Sequence, residues 1–175
     1  FAKLPRESLE FINLIMHENF NKIRPLSKSS KYIFNRLEDL IVIIMAGGLG
    51  KRMNSDLPKV LHELDNKPML VRVLENSFLL NPKKIFLVVG KYKNIIENTI
   101  QKFISLEKIE FINQEEAKGT GDAIKCCRDN LLKYNNHTVI VLSGDVPLVS
   151  YDTMKNTINH LNKCKVVITN VDNPH

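Results

Sequence analysis

The run Ile41-Val-Ile-Ile-Met-Ala-Gly-Gly-Leu-Gly50 constrains this chain more than any other segment. Four β-branched residues in succession, with no alternating polar position, read as a strand buried on both faces. The glycine cluster at its end lets bare backbone amides approach an anion. Arg52 and Lys59 then bring two positive charges to the same place. Strand, glycine turn and paired cations make a phosphate cradle.

The same strand opens an alternating pattern. Further strands are expected at Lys84–Val89, Ile109–Asn113, Thr138–Leu142 and Lys165–Val171, with the first at Ile41–Ala46. Amphipathic stretches lie between them. Pro68 can open a helix whose inward side carries Leu70, Val73, Leu74 and Ser77. Later stretches place Ile96, Ile100 and Phe103, then Ala123, Ile124, Cys127 and Leu131, then Met154, Ile158 and Leu161 at helical spacing. Short apolar strands alternating with helices imply an α/β fold, a mostly parallel sheet covered on both faces. Ligands of such sheets bind beyond the carboxyl ends of the strands. The Gly47–Gly50 turn, the Gln114–Gly121 turn and Ser143-Gly-Asp145 all follow strands, so they should converge on one edge.

Residues 1–40 stand apart as a helical N-terminal extension, and residues 41–175 form the main domain. The chain begins with Phe1 and stops just after an expected strand, so it reads as a fragment or processed product with its sheet incomplete at the C-terminal end. At 175 residues it is long enough for one medium domain or part of a larger one. The net charge of +6 fits a polyanionic small substrate. Its Lys and Arg residues are scattered, which argues against nucleic acid as a partner. Cys126, Cys127 and Cys164 show no CxxC spacing and read as free thiols of a reducing compartment. No apolar run approaches membrane-spanning length, so a cytoplasmic location is expected.

The glycine turn is neither of the two best-known phosphate motifs. A Walker loop closing at Gly50-Lys51 needs glycine where Met45 stands, and a dinucleotide fingerprint needs a small residue where Met53 stands. Arg52 can fork onto two phosphate oxygens, and Lys59 adds a mobile point charge on a segment stiffened by Pro58. Asp145 ends the apolar run Val139–Leu142 through Ser143-Gly144, a good place for a carboxylate to hold Mg²⁺ beside phosphates. Gly144 is read as leaving room for a ligand against the backbone. Gln114 offers both a donor and an acceptor to the edge of a planar base. Gly119 and Gly121 expose amides near a helix start that Thr120 can cap. Each element also has a plain structural reading: an ordinary β–α turn, surface cations, a turn cap, a strand–helix loop. His62 has no metal-ligand partner at a recognised spacing and is read as structural. No nucleophile motif supports covalent catalysis.

Five blocks together resemble the N-acetylglucosamine-1-phosphate uridylyltransferase family, bacterial-type UDP-N-acetylglucosamine pyrophosphorylases within the sugar-phosphate nucleotidyltransferases. They are Met45–Met53, Ser55–His62, Lys67–Leu70, Gln114–Ile124 and Leu142–Leu148, in family order and spacing. The resemblance runs from about residue 41 to the end. Gly47 departs from it, standing where the family commonly has Ala, as hexose-1-phosphate nucleotidyltransferases do; Leu49 replaces a frequent polar residue.

The resemblance implies a Rossmann-like, doubly wound sheet, the nucleotide-diphospho-sugar transferase fold. It implies Mg²⁺-dependent uridylyl transfer from UTP to N-acetylglucosamine 1-phosphate, with release of pyrophosphate. Met45, Ala46, Gly47 and Gly48 would lie against the nucleotide. Arg52 and Lys59 would hold the triphosphate and the sugar phosphate as the catalytic cations. Gln114, Gly119 and Thr120 would read uracil. Asp145 would bind Mg²⁺, with Ser143 and Gly144 beside the nucleoside. A second metal-binding Asn and the sugar-binding residues would lie past His175. The expected partners are these two small molecules, with no nucleic acid and no membrane, and a homo-oligomer is left open. The alternatives are another sugar-1-phosphate nucleotidyltransferase, or a nucleotide-binding module without catalysis.

Overall fold

A computed structural model describes residues 39–48, 55–134 and 137–161. The N-terminal extension, Arg52, Cys164 and the strand expected at Lys165–Val171 lie outside the described residues.

Strand β1 (Leu40–Met45) is the centre of the molecule, and Leu40, Ile41, Val42, Ile43 and Ile44 are all 0% exposed. Burying one such aliphatic side chain contributes roughly 1.5–3 kcal/mol, so this one strand anchors much of the core. It pairs in parallel with β4 (Lys84–Val89) on one side and β6 (Thr138–Ser143) on the other. β4 pairs in parallel with β5 (Ile109–Asn113), and the sheet order is β5-β4-β1-β6. The strands expected from the apolar runs are therefore present at nearly the expected positions.

Helices cover both faces because side chains alternate along each strand. Leu40, Val42 and Ile44 face the larger core with Ile85, Leu87 and Val89. Helices α1 (Met69–Phe78), α2 (Lys93–Ile100) and α5 (Tyr151–His160) close that side through Leu70, Leu74, Ile96, Ile100, Met154 and Ile158. Ile41, Ile43, Phe86, Val88 and Ile112 face a smaller core closed by Ala123 and Cys127. Those two residues belong to α3 (Thr120–Cys126) and its junction with α4 (Arg128–Leu131).

Several local expectations are corrected. The third helix is interrupted at Cys127, and Ile124 and Leu131 are only half-buried. Phe103 lies past the end of α2 and is 44% exposed, because that helix stops at Ile100. Thr120 is the first residue of α3 and does not cap it; Gly119 takes the cap position at φ 111, a left-handed geometry that favours glycine.

A short hairpin, β2 (Glu63–Leu64) and β3 (Lys67–Pro68), was not expected from the periodicity. Its two-residue turn places Asp65 at φ 52 and Asn66 at φ 57, positions that short polar side chains tolerate. Arg72 on α1 secures it by donating to the Leu64 carbonyl at 2.7 Å and the Asp65 carbonyl at 3.0 Å.

Candidate active site

The chain leaves β1 for β4 on one side, while β6 pairs on the other. A crevice therefore opens beyond the carboxyl ends of β1 and β6, where open α/β sheets bind ligands. The Gly144 amide donates to the Met45 carbonyl at 2.9 Å, and the Ala46 amide donates to the Val88 carbonyl at 2.7 Å. The three expected turns meet at this rim.

Lys59 reaches the crevice from a single 3₁₀ turn, Lys59–Leu61. Val60 and Leu61 are 6% and 3% exposed, so the apolar half of the turn is anchored in the core while Lys59 faces outward. Pro58 precedes the turn, and its carbonyl accepts from the Leu61 amide at 2.8 Å. The Lys59 ammonium Nζ donates to Asp145 Oδ2 at 2.7 Å. Ser143 Oγ donates to Asp145 Oδ1 at 2.5 Å. Both carboxylate oxygens are thus engaged. Burial pushes the Asp145 carboxyl up, but the hydrogen bonds from Lys59 and Ser143 and the Lys59 charge outweigh it. The carboxyl rests below the usual carboxylate range and is ionised at neutral pH.

On the other side of β1 lies a cleft of about 340 Å³, lined by Gly47, Gly90, Lys91, Gln114 and residues 115–117. Gln114 is 5% exposed, and its amide nitrogen Nε2 donates to Asp122 Oδ2 at 2.8 Å. Its backbone amide donates to the Val89 carbonyl at 2.7 Å, tying the strand–helix loop to the end of β4. A Cβ on Gly47 would stand 2.8 Å from Gln114 Oε1, so glycine is what allows the amide to lie there. Gly90 belongs to the same wall; a Cβ there would meet the Gln114 and Gly47 carbonyls at 3.4 Å.

The sequence-predicted residues fall into two groups on either side of the β1 terminus. Lys59, Ser143, Gly144 and Asp145 gather with Met45 on the β6 side, and Gly47, Gln114 and Gly119 on the β4–β5 side. Ala46 is 3% exposed, while Gly48 and Thr120 are exposed. Gly144 needs a different explanation from the one its sequence suggests. Its missing Cβ would meet the Met45 carbonyl at 3.0 Å, Leu70 Cδ1 at 3.1 Å and Val60 Cγ1 at 3.3 Å. Protein fills the space expected for ligand, so this glycine serves close packing of β6 on β1.

Sequence reasoning missed Asp122, Gly90 and the donor role of Ser143. Asp122 follows the Gly-Thr-Gly run as an ordinary acidic residue of a first helical turn, and only folding reveals its contact with Gln114. Among the described residues, no group of three or more His, Cys, Asp and Glu side chains is arranged to hold a metal ion. His62 Nε2 is buried without a hydrogen-bond partner and joins no such group. A cation here would take one carboxylate, Asp145, and complete its oxygen shell from phosphates and water, the usual habit of Mg²⁺. Among the described residues, no helix is long and apolar enough to cross a membrane.

Residues 42–175 match the family described as the MobA-like NTP transferase domain. A protein of Acanthamoeba polyphaga mimivirus named "Probable UDP-N-acetylglucosamine pyrophosphorylase" is 43% identical over 134 residues, covering 75% of this chain and 52% of its own length. "Bifunctional protein GlmU" of Rippkaea orientalis is 36% identical over 137 residues, covering 76% of this chain and 29% of its own. The crystal structure of HddC from Yersinia pseudotuberculosis, complexed with GMP-PN, superposes with a TM-score of 0.55 at 32% identity, covering 70% of this chain and 54% of that one. The chain thus spans about half the length of the mimiviral relative and under a third of the GlmU protein.

Proposed function

This chain belongs to the family of MobA-like NTP transferase domains, and from that premise we propose that it carries the UTP-binding part of a UDP-N-acetylglucosamine-forming uridylyltransferase. The phosphate oxygen of N-acetylglucosamine 1-phosphate attacks the α-phosphorus of UTP. The bond from that phosphorus to the bridging oxygen breaks, and pyrophosphate leaves. No protein nucleophile takes part. Both reactants are anions, so the protein's task is alignment and charge compensation.

The observation that carries this reading is the Lys59–Asp145 pair at the strand rim, beside a cleft holding a buried amide. Lys59 supplies positive charge for phosphate oxygens. Asp145 supplies the carboxylate that Mg²⁺ takes in such sites, and Ser143 holds that carboxylate in place. Arg52, seven positions before Lys59, is proposed as the second phosphate cation. Gln114 faces the base. Met45, Ala46, Gly47 and Gly48 carry the backbone along the nucleotide. The names of the mimiviral and GlmU relatives support uracil as the base and N-acetylglucosamine as the sugar.

A second reading, transfer to another sugar 1-phosphate, is favoured by Gly47 and by the likeness to HddC, solved with a guanine nucleotide analogue. One assay separates the two. Pyrophosphate release is measured with UTP, GTP and CTP, each paired with N-acetylglucosamine 1-phosphate and with hexose 1-phosphates. Release restricted to UTP and N-acetylglucosamine 1-phosphate supports the first reading; preference for another pair replaces it. Nucleotide binding without release points to a non-catalytic module.

A further inference from the structure

We propose that Asp122 is a positioning residue for base recognition: its carboxylate sets the polarity of the Gln114 amide, and so selects uracil over cytosine. This rests on the nucleotide-binding reading above and goes beyond it in assigning the discriminating element.

A primary amide has one donor end and one acceptor end, and which way it faces depends on its neighbours. At Gln114 both neighbours of Nε2 are acceptors. Asp122 Oδ2 lies at 2.8 Å and the Gly119 carbonyl at 3.5 Å. An ionised carboxylate has no hydrogen to give, and neither has a carbonyl. Turning the amide over would set Oε1 against two acceptors and forfeit a charge-assisted hydrogen bond. Gln114 is 5% exposed, so water is poorly placed to compensate. Both Nε2 hydrogens are thereby directed into the protein.

What remains for a ligand is Oε1, an acceptor. It lies against Gly47, 2.8 Å from where a Cβ would be, and both residues line the cleft. Uracil presents an N–H at N3. Cytosine presents a lone pair there and an amino group one position along its ring. A fixed acceptor satisfies uracil directly. Cytosine would have to shift its ring to bring the amino group to Oε1, or leave two lone pairs facing each other. An amide free to turn would suit either base. Asp122 removes that freedom from the first turn of α3, where helix geometry holds it in place.

The test is calorimetric titration of the intact chain with UTP and with CTP in magnesium chloride. UTP should bind at least about tenfold tighter than CTP. In Asp122→Asn, whose own amide can meet Gln114 with either end, and in Asp122→Ala, that ratio should fall by about tenfold. In a Gln114→Ala background, Asp122→Ala should change the ratio no further, since it acts through the amide. A ratio undiminished in the folded Asp122 variants, or reduced equally without Gln114, overturns the orienting role alone. A parent chain that binds neither nucleotide overturns both this proposal and the reading beneath it.

Discussion

Lys59 Nζ and Asp145 Oδ2 meet at 2.7 Å although 86 positions separate them in the chain. Their side chains are 44% and 26% exposed, so the pair is well solvated and adds under about 1 kcal/mol to stability. Its significance lies in placement. A mobile cation and an ionised carboxylate share one point at the sheet rim, where a phosphate and a divalent cation could take them apart.

That exchange leads to the first prediction. Replacing Lys59 with Ala should lower uridylyl transfer by about 10²–10³, the usual cost of losing one transition-state contact. Folding should be little changed, because Val60 and Leu61 hold the turn. Pyrophosphate release measured beside thermal melting checks this; near-parent turnover would remove Lys59 from the reaction.

Asp145→Asn should shift the magnesium titration of UTP binding to much higher metal concentration. The carboxylate is the only ligand the site is proposed to contribute from this part of the chain. An unchanged titration curve would exclude Asp145 as a metal ligand.

The pH dependence follows from the sign of the Asp145 shift. Its carboxyl is held below the ordinary range when folded, so the unfolded chain takes up the proton first as pH falls. Its contribution to stability is therefore complete above the ordinary carboxylate value of about 4 and is lost as pH falls through the lower folded value. Urea melts between pH 6 and pH 2 should show a smaller acid loss in Asp145→Asn, taken as roughly a few tenths to 1 kcal/mol for so solvated a pair. Identical slopes would dissociate the carboxylate from acid stability.

Two glycines three residues from each other in role, though not in sequence, should separate cleanly. Gly144→Ala drives a Cβ to 3.0 Å from the Met45 carbonyl and 3.1 Å from Leu70, costing about 1–3 kcal/mol in urea denaturation. Gly48→Ala meets nothing within 4 Å and should stay within about 0.5 kcal/mol of the parent. Equal stabilities would contradict the packing role of Gly144.

Gly47→Ala should act on the ligand more than on the fold. Its Cβ would stand 2.8 Å from Gln114 Oε1, the end of a flexible side chain, so the amide can yield. Yielding strains the bond to Asp122, and UTP affinity should fall about tenfold, or ~1.4 kcal/mol, with little change in melting temperature. Unaltered affinity in a calorimetric titration would place the amide outside base recognition.

Much of this was legible in the sequence. Apolar runs located β1, β4, β5 and β6 to within a residue, because a strand covered on both faces has no polar positions to blur its limits. The inward residues of α1 and α5 followed from spacing alone. The Asp65–Asn66 hairpin escaped, since two-residue strands carry no period to detect. Thr120 was misread as a cap because a glycine at positive φ did that work one position earlier.

The local order of residues determined an α/β chain with a glycine turn, a lysine and a carboxylate each just past a strand. Parallel pairing of β1 with both β4 and β6 decided the rest, by bringing those separate strand ends to one rim. Which groups then touch depends on distances across the sheet. Periodicity does not encode that Asp122 would hold the Gln114 amide, that Lys59 would meet Asp145, or that Gly144 would face protein; close packing in three dimensions does.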